Sequence, residues 1–160
     1  MNTIVLQTGE LALAGHQDTI VSGPLGSCIA AIIVESNHRL AGMAHIMLPG
    51  RHRTSSTSME KNKFAENALE NLIEQLMLKG ANKDKLQAYL IGAGNVLKRA
   101  DDTICGHNTS STLAYLEKVE IPVIKSELGG EERRQVILDL AKSEIRYTVG
   151  NGVEKVFCGF

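Results

Sequence analysis

Two apolar runs separated by a short polar group stand out in the first third of the chain. They cover residues 28–35 and 39–48, and the sequence Ser36-Asn37-His38 lies between them. Runs rich in β-branched residues on either side of turn-forming residues predict a β-hairpin. Both alternating faces of each run are mostly apolar, and a strand of that kind is usually covered on both sides. The hairpin is therefore expected at the centre of a layered structure.

Helical periodicity follows in the middle of the chain. Apolar residues recur at i, i+3 and i+4 spacing over 64–77, which predicts an amphipathic helix that ends at Lys79-Gly80. A second helix is expected to begin at Asn108 or Thr109, since either residue can cap it. Strands mixed with two helices indicate a layered α/β domain. Further strands are predicted at 3–7, 20–22, 87–91, 121–124, 136–140, 144–149 and 153–158, with a polar loop at 50–58 and a tight turn at Gly129-Gly130.

Composition narrows the class of protein. The chain has 160 residues, of which 43% are hydrophobic, so residues 1–160 are expected to form a single domain with a substantial core. Seventeen basic and eighteen acidic residues give a net charge of −1, which provides no field for nucleic acid or an anionic membrane. We expect neither direct membrane insertion nor a secretory signal. Three cysteines without CxxC spacing indicate a reduced, cytoplasmic protein.

Cys28 and His45 are the candidate catalytic pair, one in each run of the hairpin. If the turn centres between Ser36 and Asn37, the two residues lie opposite each other, with Cβ atoms about 4.5–5.5 Å apart. A thiol at that distance can pass its proton to an imidazole, and a neighbouring imidazolium would increase the small thiolate fraction of a free cysteine. A turn one residue later would place Met47 opposite Cys28 and leave His45 as a diagonal neighbour on the same face.

A turn that contains two glycines directly before Cys28 supports a catalytic interpretation. Glycine allows the backbone to approach a substrate closely, and the N–H groups around Gly26 and Ser27 could stabilise an oxyanion. Ser22 enters the same turn and is a candidate for orienting the His45 ring. The alternatives are structural: a small core residue at Cys28, a hydrogen-bonded core histidine at His45 and a plain turn residue at Ser22.

The remaining motifs are less specific. Arg51-His52-Arg53 is either a solvated loop or, because it follows the His45 strand, part of a substrate entrance formed by Arg51 and Arg53. Gly92-Ala93-Gly94-Asn95 is similar to a nucleotide-binding loop, but a bare GxG after a strand is weak support. The histidines lack the spacing of a zinc site, so we expect neither a metal nor an organic cofactor. Cys105 and Cys158 are interpreted as ordinary residues.

The hairpin resembles the CheD family of chemoreceptor glutamine deamidases. The family pattern LGSC is present as Leu25-Gly26-Ser27-Cys28, and the pattern GMAHxMLP is present at 42–49. The spacing between the cysteine and the histidine is that of the family. The resemblance covers roughly 9–149 and includes Gly9-Glu10, the predicted helix at 64–77, the loop at 92–96, Ile121-Pro122-Val123, Gly129-Gly130 with Arg134, and 136–140.

This resemblance implies a fold, an activity and three catalytic residues. The family has a three-layer α/β fold, with a mixed β-sheet covered by helices, similar to that of deamidating bacterial toxins. Its members convert selected glutamines in the helical cytoplasmic domain of methyl-accepting chemotaxis receptors to glutamate. The family nucleophile corresponds to Cys28 and the family base to His45, whereas the threonine that orients the base is replaced by Ser22. A serine hydroxyl can make the same hydrogen bond, but it lacks the methyl group that restricts the rotamer.

Two alternative functions stay open on the sequence alone. Some family members bind a CheC-type phosphatase, so one alternative is a regulatory binding module with little catalysis. The other is a thiol esterase that acts on receptor glutamate methyl esters, because an acyl thioenzyme serves both reactions.

Overall fold

Two five-stranded sheets and a layer of helices make up the computed structural model, which describes residues 2–37, 40–53 and 57–160. The helices are α1 (Ser58–Lys61), α2 (Ala65–Leu78) and α3 (Ile104–Lys118), with a 3₁₀ turn at Lys83–Lys85. The strands are β1 (Thr3–Leu6), β2 (Leu11–Ala14), β3 (Thr19–Ser22), β4 (Ile29–Glu35), β5 (Ala41–Ile46), β6 (Leu86–Gly92), β7 (Val123–Leu128), β8 (Arg134–Asp139), β9 (Glu144–Val149) and β10 (Lys155–Gly159).

The strands divide into two mixed sheets. We call the sheet with the order β2-β5-β4-β6-β7 the central sheet and the sheet with the order β1-β3-β8-β9-β10 the outer sheet. The pairs β6–β7 and β1–β3 are parallel, and the other pairs are antiparallel. The α/β class is confirmed, but the expected single mixed sheet is corrected to two. A second sheet, rather than helices, covers one face of the central sheet.

Strand β4 separates two apolar cores. One core lies between the central sheet and the helices, and the other lies between the two sheets. Because side chains alternate along a strand, each face of β4 contributes three residues to one core. The residues are Ile29, Ala31 and Ile33 on the helix side, and Ala30, Ile32 and Val34 on the outer-sheet side, all fully buried. The expectation that the hairpin is covered on both sides is confirmed.

The connection between β4 and β5 is longer than the turn predicted around Ser36 and Asn37. The N–H of Glu35 donates to the carbonyl of Leu40 over 3.0 Å, so residues 36–39 lie between the last paired positions. Longer loops set a different register from two-residue turns, and the pairing is therefore shifted. His38, the last residue of the polar group in the predicted turn, and Arg39, the first residue of the following run, lie outside the described residues.

Helix α2 forms where the periodicity predicts it. Its apolar side, from Ala65 to Leu76, is buried against the central sheet. It ends at the predicted position because Gly80 has a φ of 101° and its N–H donates to the carbonyl of Met77. No helix in the described ranges has the length and apolar character needed to cross a bilayer.

Helix α3 begins earlier than predicted. It starts at Ile104, after Thr103, so Asn108 lies inside the helix and is fully buried instead of capping it. The predicted strands are all present; β9 has the predicted bounds and the others have shifted ends, whereas β2 and α1 are additional elements. Short elements of four residues contain too little periodicity to be distinguished from loops.

Candidate active site

Cys28 and His45 lie on the same face of the central sheet, in the layer between the two sheets. Strand β4 begins one residue after Cys28, and its register places Ala30 opposite His45. Cys28 is thus a diagonal neighbour of His45. The Cα atoms of diagonal neighbours lie about 7–8 Å apart, a distance that long side chains can span. The prediction that the two residues face each other directly is wrong, and the alternative register is the observed one.

His45 is buried close to the end of β3. Burial lowers the pKa of its imidazole, while the Leu6 carbonyl and the Glu10 charge partly offset this effect. The Leu6 carbonyl is close but outside hydrogen-bonding geometry, and neither ring nitrogen bonds to any residue that the structure describes. A methyl group added to Gly23 would lie 3.8 Å from Cε1 of the ring. The glycine turn therefore packs directly against the imidazole.

Cys28 is half-buried, and burial raises the pKa of its thiol. Burial thus favours the neutral form of both groups, thiol and imidazole. The imidazolium that was expected to increase the thiolate fraction is disfavoured here. Burial therefore opposes a preformed thiolate–imidazolium pair at these two residues.

The turn before Cys28 has its carbonyl groups fixed and its N–H groups free. The N–H groups of Gly26, Ser27 and Cys28 donate to no residue in the described part of the chain. Preorganised N–H groups beside a nucleophile can stabilise an oxyanion. The carbonyls of the same three residues accept from Gly94 N–H at 2.9 Å, Asn108 Nδ2 at 2.9 Å and Ala93 N–H at 2.8 Å, respectively.

The loop at 92–95, which is similar in sequence to a nucleotide site, supports this turn instead. The N–H groups of Ala93 and Gly94 bind protein carbonyls, so they are not free to bind a phosphate. Gly92 has a φ of 132°, and a Cβ at this position would collide with the carbonyl oxygen of Cys28. The glycine thus allows β6 to approach the backbone of Cys28 closely.

A cleft of about 430 Å³ opens beside the same turn. Gly26 and Ser27 line it on one side and Cys105 lines it on another. Burial, followed by a hydrogen bond with Asp102, raises the pKa of the Cys105 thiol to about 11. Cys105 is therefore a protonated wall residue at neutral pH. Other wall residues are Val96, Leu97 and Ile104, each of which is partly exposed.

Ser22 is fully buried at the end of β3. Its Oγ accepts a hydrogen bond from the Val136 N–H at 2.9 Å, which leaves the hydroxyl proton for another acceptor. Its neighbour Gly23 packs on the His45 ring. The structure thus places Ser22 near His45, and its role in orienting the ring stays a prediction.

Arg51 lies away from the cleft beside Cys28. Its Nη1 is 2.6 Å from Oε2 of Glu70 on α2, and this hydrogen bond raises the pKa of the guanidinium. Arg51 lines a separate polar groove with Lys61. Arg53 is exposed. A substrate-entrance role for these two arginines stays a prediction.

Asn108 is the site residue that the sequence analysis missed. A polar run at 108–112 marked this segment, but the preference of asparagine for helix caps led to the wrong position.

The arrangement of possible metal ligands also bears on the chemistry of the site. Within residues 2–37, 40–53 and 57–160, no three His, Cys, Asp or Glu side chains are arranged to hold a metal ion.

Comparison with known proteins identifies the family. A family model described as CheD chemotactic sensory transduction matches residues 47–148, a span that begins two residues after His45. This span includes the 92–95 loop and Asn108, which support the turn before Cys28.

Curated relatives match nearly the whole length of this chain. A protein named "Probable chemoreceptor glutamine deamidase CheD" from Chlorobium luteolum is 35% identical over 153 residues, which are 96% of this chain and 76% of the relative. Proteins of the same name from Methanococcus vannielii and Clostridium kluyveri are 31% and 30% identical, over 94% and 92% of this chain and 97% and 93% of their own lengths. The chain therefore belongs to the CheD family.

Proposed function

We propose that this chain is a protein-glutamine deamidase that converts selected glutamine side chains of chemotaxis receptors to glutamate. The names of the relatives supply the reaction and the substrate class. The observation that carries the proposal is the turn before Cys28, with three fixed carbonyls and three free N–H groups beside a half-buried thiol. In this proposal, residues 1–160 act as one catalytic domain.

The first half of the reaction forms a thioester. His45 accepts the Cys28 proton while Sγ bonds to the carboxamide carbon of the glutamine. The carbonyl oxygen becomes an oxyanion that the N–H groups of the turn stabilise. The C–N bond then breaks, and protonated His45 gives its proton to the leaving nitrogen, so ammonia departs.

The second half of the reaction restores the thiol. His45 accepts a proton from water, and the water oxygen attacks the thioester carbon. Collapse of the second tetrahedral intermediate breaks the C–S bond, returns a proton to Cys28 and leaves glutamate. No step requires a metal or an organic cofactor.

Ser22 orients the base in this mechanism. Its Oγ accepts one hydrogen bond from the Val136 N–H, and a second lone pair remains to accept from the N–H of the His45 ring. This bond would restrict the imidazole to one orientation and leave the opposite ring nitrogen free to accept the Cys28 proton.

The direct test is mass spectrometry of a chemoreceptor coexpressed with and without this protein. We expect glutamine-to-glutamate conversion at selected receptor positions only in its presence. An unchanged receptor in both samples would overturn the proposed function.

The same receptor peptide separates the alternative activities. A thiol esterase would hydrolyse a glutamate methyl ester to glutamate and methanol and leave the matched amide intact. A regulatory module would bind a CheC-type phosphatase, retain that binding after Cys28→Ala and convert neither substrate. We expect amide hydrolysis by the wild type.

A further inference from the structure

Asn108 is a polar side chain with no exposed surface, on the face of α3 that meets the central sheet. Its Nδ2 donates to the carbonyl of Ser27 at 2.9 Å and to the carbonyl of Met47 at 3.0 Å. Because both partners are acceptors, the nitrogen end of the amide has to face them. Both protons of the amide are therefore used.

These two carbonyls belong to the two chain segments that hold the candidate catalytic pair. Ser27 directly precedes Cys28, and Met47 follows His45 by two residues. One side chain thus links the start of β4 to the end of β5, beyond the last paired residues of the hairpin. A shift of this amide would change the position of the sulfur relative to the imidazole.

The bond to Ser27 also sets the direction of the Cys28 N–H. The Ser27 carbonyl and the Cys28 N–H belong to the same planar trans peptide and point in opposite directions. The Cys28 N–H donates to no described residue. When Asn108 fixes the carbonyl, it fixes this free donor as well, and a preorganised donor is what an oxyanion requires.

The two ends of the amide are satisfied unequally. Oδ1 of Asn108 is buried without a partner among the described residues, as is Oγ1 of Thr112 one turn later. The buried oxygen opposes folding, whereas the nitrogen supplies donors to two carbonyls that an apolar side chain would leave without them. The advantage of the amide lies in the two carbonyls that it holds.

We propose that Asn108 is a positioning residue of the active site, which fixes the Ser27–Cys28 peptide and joins it to the end of β5. This inference rests on the proposed deamidase function. Asn108 touches neither substrate nor reacting atom, so it acts through the geometry of the turn.

The test compares two variants of similar size that cannot donate to the carbonyls, Asn108→Asp and Asn108→Leu. The matched control is Ser111→Ala, which removes another contact between α3 and a loop, the 2.7 Å hydrogen bond from the Gly50 N–H to the serine Oγ. We would measure kcat and KM on a receptor peptide, with circular dichroism and thermal unfolding as checks on folding.

We expect both Asn108 variants to lower kcat about 10- to 100-fold with little change in KM, because substrate binding persists while the turn loses its alignment. Ser111→Ala should retain the wild-type kcat. Wild-type kcat in a folded Asn108 variant, an effect on KM alone, or an equal loss in Ser111→Ala would overturn the inference.

A smaller substitution covers the case in which these variants do not fold. Asn108→Ser keeps one hydroxyl donor and introduces no overpacking. Its kcat should therefore be measurable but lower than the wild-type value. Wild-type kcat in folded Asn108→Ser would also overturn the inference. An inactive wild type, in contrast, would mean that the proposed deamidase function itself is wrong.

Discussion

The thiol of Cys28 and the imidazole of His45 respond to the same physical influence, which is burial between two sheets. Burial raises the pKa of the thiol above its ordinary value of 9.0 and lowers the pKa of the imidazole below its ordinary value of 6.5. Both shifts favour the uncharged forms. Burial therefore favours the pair as thiol and imidazole, the state in which His45 can act as a general base in the proposed mechanism.

This protonation state predicts the pH dependence of turnover. A protonated imidazole cannot accept the thiol proton, so kcat/KM should fall about tenfold per pH unit below the lowered pKa of His45. Above that pKa, the rate should stay level up to about pH 9, since the Cys28 thiol remains protonated. Steady-state kinetics from about pH 5 to about pH 9 provide the measurement. A rate that declines across the alkaline half would indicate a thiolate–imidazolium pair and contradict this account.

Ser22 allows the orienting role to be separated from the base itself. His45→Ala should lower kcat by about 10²–10⁴-fold, the usual contribution of a general base, and Ser22→Ala should lower it much less. Ser22→Ala should also reduce the free energy of unfolding by about 1–3 kcal/mol, because the buried Val136 N–H loses its acceptor. Ser22→Thr should restore both quantities. Equal losses of kcat in Ser22→Ala and His45→Ala would show that the hydroxyl has a more central role.

At the scale of elements, the position of Cys28 depends on the loop that follows a neighbouring strand. The end of β6 binds the carbonyls of Gly26 and Cys28 through the N–H groups of Gly94 and Ala93. Arg134 contacts the start of this loop, since its buried guanidinium donates to the carbonyl of Gly92 at 3.5 Å and to that of Gly129 at 2.5 Å. Its backbone also pairs with Leu25 in both directions. The turn before Cys28 is thus held by β6, α3 and β8.

Gly92→Ala tests the contact between β6 and the nucleophile. The added methyl group would collide with the Cys28 carbonyl oxygen at a position with a φ of 132°. We expect the free energy of unfolding to fall by about 1–3 kcal/mol or more, and turnover in the folded fraction to be reduced. Urea unfolding and kinetics on the same preparation provide the measurements.

Gly106→Ala is the matched control, since it lies in α3 with nothing within 4 Å of an added Cβ. This variant should be neutral or more stable by about 0.5–1 kcal/mol, because alanine is favoured over glycine in a helix. A Gly92→Ala variant as stable and active as Gly106→Ala would show that the close approach does not matter.

The sequence predicted most elements but fewer of their polar contacts. Apolar periodicity located β4, β5 and α2 because burial governs each of them. The hairpin register was ambiguous by one step, since both faces of the strands are apolar and hydrophobicity alone does not select a pairing. Asn108 was misplaced because local preference favours a cap, whereas its partners Ser27 and Met47 are distant in sequence. Tertiary hydrogen bonds of this kind leave no periodic signal.

At the scale of the whole molecule, the candidate site lies where three layers meet. β3 from the outer sheet brings Ser22, the central sheet brings Cys28 and His45, and α3 from the helical layer brings Asn108. These residues come from both sheets and from α3. A single sheet covered by helices would not place all of them around one site. The second sheet, which the pattern of the sequence does not distinguish from the first, is the layer that covers His45.

Turnover of a purified receptor peptide by Cys28→Ala, set beside Cys158→Ala, is the most direct test of the account. Cys158 is also a half-buried cysteine, but it lies on β10 of the outer sheet. We predict that Cys28→Ala folds and binds the peptide but deamidates it at least about 1,000-fold more slowly, whereas Cys158→Ala matches the wild type. Wild-type turnover by folded Cys28→Ala would contradict the central claim that this sulfur attacks the glutamine.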